Sequence, residues 1–175
     1  MNAPSAKLSV LTEEKSACVK IVGRANFASS IDFKTLLDEL LQRDYDHFIL
    51  ELSECLLMDS TFLGVLAGFA LKLNGANSEN SQSAIELLNP NPRVSELLDT
   101  IGVLHLFQVS RGGVPIPCQV EPAIPAASQP TQEEVTRNCL EAHRTLMSIS
   151  PKNASRFKEV ALFLAEDLKK QKANS

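Results

Sequence analysis

Two short apolar runs, residues 47–52 (HFILEL) and 84–88 (AIELL), are too brief to be helices, and between them residues 60–73 repeat apolar side chains at helical spacing. A strand, a helix and a second strand in that order demand a crossover, with the two strands parallel. The same alternation continues on both sides. Residues 7–12 and 17–22 are β-prone and separated by Glu13, Glu14 and Lys15, which reads as a hairpin. From Ser30 the period becomes helical through Ile31, Leu36, Leu37, Leu40 and Leu41; Ser29 or Ser30 is available as the cap, Asp32 lies in the first turn, and the helix should end near Arg43. Residues 92–101 form a further amphipathic helix stopped by Gly102, and residues 105–109 are the last expected strand. The fold class is α/β: a small mixed sheet flanked by helices.

That pattern stops at residue 110. Residues 111–130 hold five of the nine prolines and two of the seven glycines, a linker composition. Beyond it Thr131 and Glu134 make a capping box, and Val135, Cys139, Ala142, Leu146 and Ile149 follow at helical spacing. Ser150-Pro151 opens another helix, with Phe157, Val160, Ala161, Leu164 and Leu168 on one face. Three parts are expected: a domain over 1–110, a linker over 111–130 and a helical hairpin over 131–175. An isolated hairpin of this length buries too little to stand alone, so it should dock. Its candidate seats are an apolar row on the domain, in the same or a neighbouring subunit, and the hairpin of a second chain. Self-association through the hairpin is the expectation, since residues 1–110 carry 8 basic and 14 acidic side chains against 9 and 7 in the remainder.

A formal net charge of −4 argues against a nucleic-acid partner. No stretch approaches the roughly 18 apolar residues of a membrane span, and the first ten residues lack the apolar core of a secretory leader, so a cytoplasmic protein is expected. Cys18, Cys55, Cys118 and Cys139 show no ligand spacing, and His47, His105 and His143 lie far apart, which indicates neither a disulfide framework nor a metal site. Nucleophile elbows, phosphate loops, dinucleotide fingerprints and zinc-protease motifs are all absent. The sequence points to no enzyme and no cofactor.

The segment that remains is 58–70, MDSTFLGVLAGFA. Ser60 stands at the entry of a helix, where a hydroxyl can serve as an ordinary N-cap worth about 1 kcal/mol. The helix that follows is apolar around most of its circumference, more than packing on one sheet face requires. Phe62, Val65 and Phe69 could form an anchor row for a partner or simply lie in the core or under the protein's own tail. Gly64 and Gly68 would let another backbone approach closely.

This segment resembles the MDS[ST]GLGVL signature of STAS domains of the anti-sigma factor antagonist type, with Asp59, Ser60, Thr61, Leu63, Gly64 and Leu66 in step, and the order of elements over about residues 5–110 is similar to that family's. The resemblance implies a non-enzymatic regulator whose serine, here Ser60 with Thr61 as runner-up, is phosphorylated by a partner serine kinase that is also the anti-sigma factor. Asp59, Phe62, Val65, Phe69 and Asn26 would meet that partner. Two positions depart from the pattern: Phe62 replaces the usual Gly, and Asn26 stands where an acid is common in the Gly23-Arg24-Ala25-Asn26 turn. The alternative is a STAS scaffold that is never phosphorylated and assembles an oligomer or larger complex.

Overall fold

The structure, a computed structural model, describes residues 5–76, 83–113 and 129–174. The expected linker falls largely on residues 114–128, and Cys118 with it, outside the described residues.

Strands β1 (Lys7–Glu13) and β2 (Ser16–Ala25) form the expected antiparallel hairpin, turning on Glu14 at φ 52°. Helix α1 (Phe27–Gln42) leads to β3 (His47–Glu51), β4 (Cys55–Met58) to α2 (Ser60–Ala76), β5 (Ile85–Leu88) to α3 (Pro92–Ile101), and a short 3-10 turn at Leu104–Leu106 to β6 (Gln108–Ser110). The sheet runs β1-β2-β3-β5-β6, with every pair after the first parallel. Side chains alternate across it. Phe48 and Leu50 of β3 enter the main core with Phe33 and Leu37 of α1, Leu63 and Leu66 of α2, and Val94 and Leu98 of α3. Cys18, Ile49 and Leu88 form a small cluster of their own.

Several boundaries differ from the sequence reading. Helix α1 begins at Phe27, capped by Asn26 rather than Ser29 or Ser30: the Asn26 side chain accepts from Ser29 N–H while the Ser29 hydroxyl accepts from Asn26 N–H, each at 3.1 Å. The last strand begins at Gln108 because the 3-10 turn takes up the residues before it. Strand β4 was not foreseen. It is four residues long and pairs in parallel with the end of β2 where the register shifts between Gly23 and Arg24. Gly23, at φ 97°, supplies a backbone conformation that other residues rarely adopt, so β2 can leave β3 there and continue along β4.

Helices α4 (Gln132–Ile149) and α5 (Pro151–Ala173) form the expected hairpin, with the capping box of Thr131 and Glu134 in place and Ser150 capping α5. The hairpin packs against α2 of its own chain. Ala142, Leu146 and Phe157 join the main core, so that core continues across the division placed at residue 110. Asn153 is fully buried and donates to the carbonyls of Ile101 (2.8 Å) and Leu146 (2.9 Å), which fastens the start of α5 to the end of α3.

Candidate functional site

The switch of β2 onto β4 builds the site. It sets Met58 beside Ala25 and lets Asp59 N–H donate to Ala25 O at 2.8 Å, so the residues entering α2 lie next to the residues entering α1. Asp59 then caps α2: its Oδ1 accepts from Phe62 N–H at 2.8 Å, and its Oδ2 accepts from Phe27 N–H at 2.6 Å. Burial raises the Asp59 carboxyl above its ordinary range; the N–H groups of Phe62, Phe27 and Thr61, and the nearby His143, oppose that rise.

Because Asp59 does the capping, Ser60 is free of it. Ser60 is the first residue of α2, half-buried, and its Oγ lies 3.0 Å from Nε2 of His143 on α4. The other ring nitrogen, Nδ1, lies 2.7 Å from the carbonyl oxygen of Cys139. A carbonyl can only accept, so Nδ1 carries the proton, and in the neutral ring Nε2 accepts from the Ser60 hydroxyl. The ring is held edge-on to Phe157 at 5.2 Å between centroids.

Thr61, the runner-up acceptor, is buried, and its hydroxyl faces Cys139 Sγ at 3.7 Å. Burial raises the Cys139 thiol as well. Phe62 lies in the core, fully buried and stacked on Phe33 with 4.6 Å between ring centroids, which removes it from any exposed row. Val65 and Phe69 are buried too; with Asn138, Glu141, Ala142 and Thr145 of α4 they line a cavity of about 180 Å³. Asn26 sits at the α1 cap rather than in a charge contact.

The close approach offered by Gly64 is real. A Cβ there would come within 2.7 Å of both the carbonyl carbon and the Cβ of Ala142, so only glycine fits beneath α4, whereas at Gly68 a Cβ would rest 3.7 Å from Thr145 in ordinary contact. Buried Asn138 donates from Nδ2 to Ser30 Oγ at 2.9 Å, tying α4 to α1 as well. Neither His143 nor Asn138 stood out in the sequence. The available signal was position: both flank Ala142 within one turn of the α4 seam.

The site thus consists of paired helix caps and a serine at the first turn of α2, set on a sheet that is parallel except for its first pair. Residues 8–113 match the STAS domain family, and the chain belongs to it. Among solved structures, TM1081 of Thermotoga maritima, named as a candidate anti-sigma factor antagonist, is similar at 19% identity and a TM-score of 0.52, over 61% of this chain and 87% of that one. The anti-sigma factor antagonist SpoIIAA in its unphosphorylated form is similar at 17% identity and a TM-score of 0.50, over 61% of this chain and 88% of that one. No curated protein sequence matches significantly. Helices α4 and α5 extend beyond the matched domain.

Proposed function

We propose that this protein is a non-enzymatic, cytoplasmic regulator, an anti-sigma factor antagonist that binds a partner-switching serine kinase and is controlled by phosphorylation at Ser60. The observation that carries the reading is the position of Ser60: it stands in the family signature at the first residue of α2, outside the core, while the neighbouring Asp59 does the capping. Its hydroxyl can therefore be modified without dismantling the helix start. In the transfer the Ser60 oxygen bonds to the γ-phosphorus of ATP held by the kinase, the bridging P–O bond breaks, the hydroxyl proton passes to a base on the kinase, and ADP leaves. The product adds about 1.5 to 2 negative charges beside Asp59, which opposes docking by like-charge repulsion and desolvation. Mass spectrometry of the protein purified from its own cells tests this. Phosphate on Ser60 is the expected result, and its absence under every growth condition sampled would leave only the scaffold.

One observation favours that second reading. On α5, Val160, Leu162 and Phe163 are 44%, 57% and 69% exposed, an apolar segment left open once the hairpin has docked on α2. A STAS scaffold would self-associate through it, and Phe163→Glu would then lower the sedimentation coefficient of the full-length chain.

A further inference from the structure

Helix α4 covers the face of α2 that starts at Ser60, and three details show a fitted seat rather than loose contact. Gly64 admits the Ala142 backbone at a distance where no Cβ fits. The Ser60 hydroxyl has its acceptor in His143, whose ring is oriented by Cys139 O. Buried Asn138 reaches across to Ser30 of α1. Outside this crossing, Lys34 and Glu141 pair at 3.6 Å.

We infer that the α2 face from Ser60 to Gly68 is a helix-docking surface, that α4 is its resident occupant, and that an outside partner reaches it by displacing α4 with a helix of its own. The shape of the crossing defines that partner helix: a Gly, Ala or Ser where Ala142 now stands, and a hydrogen-bonding side chain one position later to take the Ser60 hydroxyl. The hairpin is covalently joined to the surface it covers, so it competes as an intramolecular ligand whose local concentration a free partner must overcome. Half-exposure of Ser60 does not circumvent this. A protein partner needs roughly 800 Å² of surface on each side, far more than one hydroxyl, and α4 holds the adjoining helix face. We take the outside partner to be the kinase, and in that the inference rests on the function proposed above. The closed hairpin itself does not.

The test uses the full-length chain and a fluorescent synthetic peptide of residues 131–174. Ala142→Glu places a charged side chain into the crossing on the α4 side and should free α2 while leaving its surface intact. Gly64→Leu should free the hairpin and also spoil the surface. Release is read by peptide-resolved maleimide labelling of Cys139, with the buried Cys18 and Cys55 as references. Both variants should label Cys139 at least tenfold faster than wild type. The peptide should bind Ala142→Glu at least tenfold more tightly than wild type, and Gly64→Leu no better than wild type. Equal peptide affinity in wild type and Ala142→Glu overturns the inference, as does unchanged Cys139 labelling in both variants. A dimer of the wild-type chain that Ala142→Glu dissolves also overturns it, because the hairpin would then sit on a neighbouring copy. Should Ala142→Glu expose Cys18 and Cys55 too, the milder pair Asn138→Ala with His143→Ala carries the decision on the same two readouts. No step involves phosphate, so gated peptide binding together with the absence of phosphate on Ser60 in the protein from its own cells would sink the phosphorylation reading alone.

Discussion

The N–H of Phe27 donates to Asp59 Oδ2 over 2.6 Å, so a single carboxylate holds the start of α1 while its other oxygen caps α2. Asp59→Asn keeps one acceptor oxygen and turns an amide N–H₂ toward the other donor. The loss should be about 1–2 kcal/mol in urea denaturation at pH 7. The pH dependence has a definite sign. Burial lifts the folded carboxyl above its ordinary 3.8, so the folded state holds the proton to higher pH than the unfolded chain. The contribution of Asp59 to stability is then most favourable below the unfolded value and declines as pH rises through the folded one. Asn has no such step, and the gap between wild type and Asp59→Asn should widen from pH 7 to pH 4.

Ser60→Ala removes the hydroxyl that His143 Nε2 accepts from, without touching a cap, and should cost about 1 kcal/mol while abolishing phosphorylation and preserving kinase binding. Ser60→Asp brings a second carboxylate beside Asp59. Its affinity for the kinase, measured by calorimetry, should fall at least tenfold with far-UV circular dichroism unchanged. Wild-type affinity in the Asp variant would end the switch reading.

Asn153→Ala strips the donor from two buried carbonyls, those of Ile101 and Leu146. A destabilisation of about 2–3 kcal/mol follows from leaving them unpaired. Hydrogen exchange should rise throughout α4 and α5 before it rises in β3.

Phe62→Ala deletes a fully buried ring from its stack on Phe33. The cost should be about 3–5 kcal/mol, read from the denaturation midpoint. A loss under 1 kcal/mol would mean that Phe62 is not the core residue described here.

Removal of residues 114–175 leaves the matched family domain and tests the boundary placed near residue 110. Cooperative unfolding of the shortened chain is the expected outcome, since sheet, α1, α2 and α3 retain a two-layer core. It should associate more readily than the full chain, because Val65 and Phe69 lose α4.

The sequence made α3 and both tail helices legible to within a residue or two, because Gly102 as a stop and Thr131 to Glu134 and Ser150-Pro151 as starts are local signals that act through neighbouring backbone. Helix α1 carried such a signal in Asn26 and Ser29, but the hydroxyls at Ser29 and Ser30 competed for the same reading. Strand β4 was hidden because four residues contain too little period, and its pairing depends on a bend at Gly23 that is specified by tertiary structure. The site divides the same way. Ser60 and Gly64 lie in a contiguous motif, whereas His143 reaches Ser60 across 83 positions of sequence, a distance at which spacing carries no information. The direction of docking was equally out of reach: apolar stripes on α2 and α4 specify a match, and nothing in a stripe distinguishes the same chain from a second copy.

The contact between Gly64 and Ala142 also ties two stretches of the gene together. A lineage that keeps the hairpin is confined to glycine at position 64 and to a small residue at position 142, although neither is needed for the sheet to form. A lineage that sheds the hairpin is released from both, and alanine at position 64 would then raise helix propensity by about 1 kcal/mol. Tails exchanged between such proteins should therefore be rejected wherever position 64 carries a side chain, because a Cβ there collides with the helix that closes on it.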